Sequence, residues 1–270
     1  MNKRKIYIVI LSLISFAFLF PYLFVVLSSF KTRLDTFAYP PIWFFTPTLE
    51  NFISIHEDLN IFFFMKNSII ISIVSTFITF MISIPATYAL ARINFKRKEL
   101  VAYLFLILQM IPGISIVFAL FYIANYTGLY DTHFFLILAY LLWNVPYAIW
   151  LLRGFIVAVP RELEEAALVD GCSKFQSFYL ITLPLISGGL VASGILIFIG
   201  VWNEFSLAFF LTSLETRTLP TTIGFFMTHS GIKWGPMFAT ATLSTLPIVF
   251  IGLLVKKHFV QAMSFGAVKG

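Results

Sequence analysis

The chain has 270 residues, of which 60% are hydrophobic and 11% are charged, and its formal net charge is +6. Soluble domains carry about a quarter charged residues, so this composition excludes an ordinary soluble domain. The single cysteine, Cys172, excludes a disulfide framework within one chain and a CxxC metal site.

Six apolar runs follow one another along the sequence, each reaching or nearly reaching the roughly 20 residues that a helix needs to cross a bilayer. We therefore predict an all-α, polytopic membrane protein with six transmembrane helices. The predicted spans are residues 6–30, 67–91, 100–124, 134–152, 185–211 and 238–255. The first run resembles a signal peptide, but it is too long and no A-x-A cleavage site follows, so we expect it to be retained.

The basic residues predict the orientation, because cytoplasmic loops carry an excess of lysine and arginine. With the N-terminus inside, 13 of the 18 basic residues are cytoplasmic: Lys3, Arg4, Lys5, Arg92, Lys96, Arg97, Lys98, Arg153, Arg161, Lys174, Lys256, Lys257 and Lys269. Lys31, Arg33, Lys66, Arg217 and Lys233 then lie outside. We expect both termini in the cytoplasm and a plasma-membrane location.

After the first span, the outer segment 31–66 contains apolar residues at helical spacing: Phe52, Ile55, Leu59 and Phe62. This pattern predicts a helix lying on the outer leaflet, with residues 56–58 toward water. A docking surface for an external protein is the alternative, and the sequence favours the lipid interface.

The second span carries a face of hydroxyl residues that includes Ser72 and Thr79. Small hydroxyl residues allow helices to approach closely and to form hydrogen bonds across the contact. Packing is favoured over a polar pathway, although both functions fit the pattern. Prolines interrupt four different spans, at Pro85, Pro112, Pro146 and Pro247, and predict bends there.

Residues 160–184 form the longest polar break in the second half of the chain. Pro160 suits a helix start, Gly171 suits a helix end, and Ser173 with Gln176 has the spacing of a capping box. We predict two short helices on the cytoplasmic side, joined near Gly171, and call residues 160–184 the elbow. The alternative is an amphipathic helix lying on the membrane.

The elbow resembles the EAA loop of ABC importer permeases: Glu165-Ala166-Ala167, then Gly171, then Ile181-x-Leu183-Pro184. The resemblance implies a type I, MetI-like permease fold in which this loop docks on a cytoplasmic ATPase. The residues that it implies for coupling are Glu164, Glu165, Ala166, Ala167, Asp170, Gly171 and Pro184. Two alanines permit a close approach to a partner, and an exposed glutamate can pair with a partner's basic residue.

The fifth span contains the most informative polar residues, Trp202-Asn203-Glu204. Glu204 falls well inside an apolar run, where an ionisable group is costly unless it faces protein or water. We therefore regard Trp202, Asn203 and Glu204, with Ser72 and Thr79, as candidates for the translocation pathway. The alternative is a glutamate that holds helices together near the outer end of the span.

The end of the chain extends the resemblance to the carbohydrate subgroup of these permeases. Ser29-Phe30-Lys31, the Trp202-Asn203-Glu204-Phe205 segment and the C-terminal tail look like the smaller, six-span subunit of a maltose or multiple-sugar importer. The resemblance implies that the outer loop 212–236 reaches the external binding protein. It also implies tail contacts with the ATPase dimer at Gln261, Gly266 and Lys269, and the alternative is an unstructured tail.

The sequence contains no GxxxxGK[ST], no HExxH and no close carboxylate pair within a span. We therefore predict no catalytic residues, no metal and no cofactor, and the chain is expected not to be an enzyme. ATP hydrolysis would take place in a separate partner chain.

These observations predict three regions: 1–66, 67–259 and the tail 260–270. The predicted function is the permease subunit of an ATP-driven importer of disaccharides or oligosaccharides. Its expected partners are a second homologous permease, two ATPase subunits, an external sugar-binding protein and the lipid bilayer, with no nucleic acid. An ion-coupled transporter or channel using Glu204 is one alternative, and an ABC permease for another solute is a second.

Overall fold

The computed structural model describes residues 3–229 and 231–267, with side chains for residues 4–229 and 231–255. Its α-helices, in chain order, are α1 (Lys3–Ser29), α2 (Arg33–Phe37), α3 (Glu50–Leu59), α4 (Ile61–Arg92), α5 (Lys98–Gln109), α6 (Val117–Tyr126), α7 (His133–Ala158), α8 (Arg161–Val169), α9 (Lys174–Ser177), α10 (Leu183–Leu185), α11 (Ser187–Trp202), α12 (Ser206–Leu211) and α13 (Trp234–Ala267).

Shorter elements connect these helices. Two 3-10 helices span Gly113–Ser115 and Leu219–Phe226, and a π-helical turn spans Phe178–Thr182. A small antiparallel hairpin pairs β1 (Met227–Thr228) with β2 (Gly231–Ile232), in a register that sets Met227 opposite Ile232. The chain therefore has the all-α architecture that the sequence predicts, with this hairpin as a local addition.

Four helices in the described residues are long and apolar enough to cross a membrane: α1, α4, α7 and α13. A fifth crossing is possible if the segments Lys174–Leu185 and Ser187–Trp202, which meet at an angle of 72°, form one bent span. Prolines lie inside all four long helices, including the predicted Pro85, Pro146 and Pro247. The count of six spans stays a prediction.

The predicted third span, residues 100–124, is interrupted at Pro112 as the sequence predicts, but a single helix with one bend is wrong for this range. It is divided into α5 and α6, which are separated by residues 110–116 and include a 3-10 turn. Pro112 lies in this break in an extended conformation, and proline cannot donate to the helical ladder. The Trp143 indole N–H donates to the Ile111 carbonyl at 3.2 Å, which satisfies one of the freed backbone groups.

The predicted fifth span, residues 185–211, is also wrong as one helix. α11 ends at Trp202, and α12 begins at Ser206 after a short break. Consequently Glu204 lies between two helices and not inside one. This difference changes the environment of the most unusual acidic residue in the sequence.

The outer segment agrees with its predicted helix. α3 places Ile55 in the core and exposes His56, Glu57 and Asp58. Asn60, with a left-handed φ of 49°, ends α3, so that Phe62 belongs to α4. Asparagine tolerates this conformation better than most residues do.

The chain divides into two compact units. The first contains residues up to Lys66 and Thr218–Pro247, and the second contains Asn67–Arg217 and the residues from Ile248 onward. The core of the second unit is built from buried side chains of several of its helices, among them Ile71, Leu136, Tyr140, Ile197 and Leu211.

Close contact between α7 and α11 in the second unit depends on Gly189. A Cβ atom at this position would collide with the ring of Phe155. The preceding residue, Gly188, has open space around its Cβ position. A larger side chain therefore fits at Gly188 but not at Gly189.

We predict that Gly189→Ala destabilises the protein by about 1–3 kcal/mol, because the added methyl group overpacks this contact. Gly188→Ala should change stability by less than about 1 kcal/mol, since alanine also favours a helix. The check is the apparent melting temperature of both variants in the same detergent. Equal melting temperatures for the two variants would contradict this account of the packing.

Candidate functional site

The first helix of the elbow, α8, begins and ends where the sequence predicts. Pro160 precedes it in an extended conformation, and Glu162 and Glu164 lie in its first turn. Carboxylates there interact favourably with the positive end of the helix dipole. The helix ends at Val169, and Gly171, just after the cap residue Asp170, has a φ of +90° that suits glycine.

The end of α8 has the hydrogen bonds of a Schellman motif. The Gly171 N–H donates to the Leu168 carbonyl at 3.1 Å, and the Cys172 N–H donates to the Ala167 carbonyl at 3.0 Å. Gly171 therefore sets the angle at which the chain leaves α8. Asp170, just before it, is exposed.

The second half of the elbow confirms the predicted capping box. The Gln176 N–H donates to Ser173 Oγ at 3.2 Å, and the Ser173 N–H donates to Gln176 Oε1 at 2.8 Å. After α9 the chain makes the π-helical turn before α10, in which Pro184 occupies an initial position. Pro184 is exposed.

The structure separates the two neighbouring glutamates of the motif. Glu164 is buried, at 8% exposure, and Glu165 is exposed. The Glu164 carboxylate accepts hydrogen bonds from Arg92 Nε at 2.9 Å, Tyr88 Oη at 3.2 Å and Thr182 Oγ1 at 2.5 Å. Glu164 is therefore an internal anchor of the elbow.

Arg92 and Arg161 continue this connection to the end of α4. Arg92 also donates from Nη2 to the Val159 carbonyl at 2.9 Å, and Arg161 Nη2 donates to the Ala91 carbonyl at 3.3 Å. These contacts join residues that are 67 to 76 positions apart in the chain. Sequence reasoning missed Arg92, Tyr88 and Thr182 because no local pattern links them to the motif.

Glu165 lies on the opposite face of α8. Among the described residues, its carboxylate accepts no hydrogen bonds like those of Glu164. Glu165 and Ala166 are exposed, whereas Ala167 is buried on the side of Glu164. Val169 lies on this outward face and is 87% exposed, an exposed apolar residue that sequence reasoning missed. The helical period could have identified Val169, because residues four apart, such as Glu165 and Val169, lie on the same face of a helix.

A cavity of about 780 Å³ lies between the elbow and the C-terminal part of α4. Apolar side chains such as Met81, Ile84 and Phe175 form much of its lining, and the charged residues of the lining are Arg92, Arg161, Glu164, Glu165 and Lys174. Over this part of its length, the elbow is therefore not packed tightly on α4. The Glu164 cluster, which consists of Glu164, Arg92, Tyr88 and Thr182, is consequently the principal polar attachment between the elbow and α4.

The predicted pathway residues lie in different environments. Trp202 is 1% exposed and its ring stacks on Phe198, with centroids 5.9 Å apart. Asn203 is exposed. Glu204 caps α12, because its carboxylate accepts from the Leu207 N–H at 2.8 Å and the Ala208 N–H at 3.1 Å.

Ser72 and Thr79 lie on one buried face of α4, at 1% and 0% exposure. The buried hydroxyl residues of this face are Ser68, Ser72, Ser75, Thr79, Ser83 and Thr87. Their burial favours the packing function, while the pathway function stays a prediction.

The predicted tail contacts fall at the end of the chain. Gln261 and Gly266 belong to α13, which continues to Ala267 as a helix. Their contacts stay a prediction, and Lys269 lies outside the described residues.

Asp131 organises a second polar cluster, which sequence reasoning missed. It lies between α6 and α7, and its carboxylate accepts hydrogen bonds from the Ser213, Glu215 and Thr216 amides at 2.9–3.1 Å. The Thr216 hydroxyl adds a fourth, at 2.7 Å. Asn67 Nδ2 donates to the carbonyl of Glu215 at 2.9 Å and fixes the same segment from α4.

Burial alone would raise the pKa of the Asp131 carboxyl, but the hydrogen bonds outweigh burial and lower the pKa below its usual value. The ionised carboxylate is therefore the form that holds residues 213–216. These residues begin the predicted outer loop.

A sequence profile of the family described as "Binding-protein-dependent transport system inner membrane component" matches residues 83–265. The chain is similar to "Trehalose/maltose transport system permease protein MalG" of Thermococcus litoralis, with 36% identity over 272 residues, 99% of this chain and 98% of the relative. "Diacetylchitobiose uptake system permease protein DasC" of Streptomyces coelicolor is 33% identical over 253 residues, 93% of this chain and 92% of the relative.

A solved structure shares the fold. It is titled "Crystal structure of a bacterial ABC transporter involved in the import of the acidic polysaccharide alginate", and the TM-score is 0.79. The match covers 96% of this chain and 98% of that chain, at 16% sequence identity. The predicted permease fold is therefore confirmed.

We predict that Glu164→Ala destabilises the protein by about 3–5 kcal/mol, because it leaves the buried Arg92 cation without its partner. Replacing both residues, as Arg92→Met with Glu164→Met, should recover much of this loss. Glu162→Ala, on the exposed side of α8, serves as the matched control and should lie within about 0.5 kcal/mol of wild type. Thermal unfolding in detergent measures all three, and a small effect for Glu164→Ala would refute the anchor.

We also predict that Asp131→Asn makes the protein less sensitive to acid. Because the folded-state pKa is lowered, the stabilisation is complete above the unfolded pKa of about 3.9 and is lost as pH falls through the folded pKa. The measurement is the apparent melting temperature from about pH 6 to about pH 3. The wild-type value should approach that of the variant at the acidic end, and parallel curves would contradict the prediction.

Proposed function

The chain belongs to the family of inner membrane components of binding-protein-dependent transport systems, and we propose that it is the permease subunit of an ATP-driven sugar importer. It is a multi-pass membrane protein, and such a transport subunit is not itself an enzyme. The observation that carries the proposal is α8, which buries Glu164 on one side and presents Glu165, Ala166 and Val169 on the other.

The outward face of α8 has the composition of a protein contact. Ala166 contributes little bulk, Val169 supplies an apolar contact, and Glu165 supplies a charge for a basic residue of the partner. The partner in this proposal is a cytoplasmic ATPase, since the chain has no P-loop of its own. The coupling residues remain those of the motif, with Val169 added and Glu164 assigned to positioning.

Force from the ATPase would reach the membrane through the Glu164 anchor. A push on α8 would move the end of α4 through Arg92 and Tyr88, because these side chains hold the same carboxylate. The cavity beside the elbow leaves room for a change of angle between the elbow and α4. The Pro184 segment would carry the same movement into α11, which follows after a 72° bend.

The proposed solute is a disaccharide or an oligosaccharide. The names of two relatives that match over most of their length refer to trehalose/maltose and to diacetylchitobiose, which supports this class. The proposed complex contains a second permease, two ATPase subunits and an external sugar-binding protein. The distribution of basic residues supports cytoplasmic termini and an elbow on the ATPase side.

The alternative of an ion-coupled transporter receives less support from the geometry. Glu204 would have to release or bind an ion during transport, yet its carboxylate oxygens already accept from two backbone amides. A permease for another solute remains the second alternative, which direct uptake measurements with different solutes distinguish.

The decisive experiment is Glu165→Lys in the assembled transporter. Reversal of a charge at a buried interface costs several kcal/mol, so ATPase association should fall at least about tenfold, and sugar uptake should fall with it. Glu57→Lys, which reverses an exposed charge in α3, is the control and should keep both activities. Survival of both ATPase association and uptake in Glu165→Lys would refute the assignment of α8.

A further inference from the structure

Lys31 lies two residues beyond the end of α1 but does not extend into solvent. It is only 5% exposed, whereas Lys66 and Lys233 of the same unit are exposed. Lysines at the ends of membrane helices ordinarily direct their ammonium groups toward water. The burial of this cation therefore needs a physical explanation.

Three aromatic rings surround the ammonium group of Lys31. Its Nζ atom lies 5.2 Å from the ring centroid of Phe45, 5.8 Å from that of Phe24 and 6.0 Å from that of Trp43. Among the described residues, no hydrogen bond or ion pair to Nζ accompanies these contacts. The described protein atoms therefore offer the ammonium group ring faces and no oxygen acceptor.

The backbone around Lys31 is fixed by Asn51 of α3. The Asn51 side-chain amide donates to the Ser29 carbonyl at 2.9 Å and to the Lys31 carbonyl at 2.8 Å. The Thr48 N–H donates to the Phe30 carbonyl at 2.9 Å. The start of α13 lies against the same asparagine, because a Cβ atom at Gly235 would collide with the Asn51 side chain. The backbone from which the Lys31 side chain projects is therefore fixed.

Lys31 lines a cavity of about 270 Å³ within the first unit. The aromatic side chains of the lining include Phe24, Trp234 and Phe238, and Asp35 adds a carboxylate. The Asp35 carboxylate accepts a hydrogen bond from the Thr32 hydroxyl at 2.8 Å. The cavity thus combines a largely buried lysine, a carboxylate residue and apolar walls.

The cavity lies between the C-terminal end of α1 and the N-terminal end of α13. Both helices are long and apolar enough to cross a membrane, which would place these two ends at its boundary. Tryptophan and other aromatic residues are enriched at this depth, which is also the depth of lipid headgroups. A phosphate diester supplies oxygen acceptors for an ammonium group, and its acyl chains would remain in the apolar region.

We propose that this cavity binds the headgroup of a membrane phospholipid, with its phosphate on Lys31. The phosphate would accept hydrogen bonds from the Lys31 ammonium, and Asp35 would accept from a headgroup ammonium or hydroxyl. The aromatic rings would cover the glycerol part of the lipid. The site does not depend on the proposed transport function, since it requires only a membrane around α1 and α13.

The first test is native mass spectrometry of the purified full chain with phosphatidylethanolamine, phosphatidylglycerol or diacylglycerol added. The wild-type chain should retain both phospholipids and release diacylglycerol, which lacks a phosphate. Lys31→Met should retain phospholipid about tenfold less, whereas Lys66→Met should resemble wild type. Equal retention by wild type and Lys31→Met, equal retention of diacylglycerol, or displacement of phospholipid by excess maltose would overturn the proposal.

A second measurement uses the wild-type chain and so does not depend on the folding of a variant. Lysine acylation of delipidated protein should modify Lys31, and added phosphatidylglycerol, which has no amine to consume the reagent, should slow this modification about tenfold. Lys66 should react at the same rate in both samples. Equal rates at Lys31 with and without the lipid would contradict a phosphate on its ammonium group.

Discussion

The buried ion pair between Arg92 and Glu164 is the constraint on which the position of the elbow depends. Both side chains are about one-tenth exposed, and the Nε to Oε1 distance is 2.9 Å. Removing two charges from water is costly unless their remaining hydrogen bonds are also satisfied. Tyr88, Thr182 and the Val159 carbonyl supply those bonds, so the pair is part of a network that connects α4 to both halves of the elbow.

This network gives two adjacent glutamates different functions. The helical period separates neighbouring residues by about 100°, so Glu164 can enter the protein while Glu165 stays outside. Ala167 lies three residues after Glu164 and is buried with it, whereas Ala166 follows Glu165 to the surface. One short helix therefore carries an internal anchor and an external contact surface. The same substitution would therefore affect stability at Glu164 and partner binding at Glu165.

The sequence predicts most of the fold because local patterns determine much of it. Long apolar runs predict α1, α4, α7 and α13, and Gly171 and the Ser173 capping box predict the elbow from backbone and capping chemistry. At residues 110–116, Pro112 predicts an interruption but not its length. The break at residues 203–205 escapes this reasoning, because apolar residues continue on both sides of it. The role of Glu164 could not be predicted, because its partners come from distant segments of the chain. The helical period alone does not identify which of the acidic residues of α8 is buried against them.

The break before α12 also explains how an acidic residue can exist within an apolar run. The first amides of any helix lack intrahelical acceptors, and in an apolar environment these unsatisfied donors are costly. Glu204 meets this need, because each of its oxygens accepts from one of the amides of Leu207 and Ala208. If the run were one continuous helix, those amides would already be bonded and the carboxylate would lose these partners. The interruption of the helix and the presence of Glu204 therefore require each other, and the carboxylate has a structural reason to be there whether or not it also contacts solute.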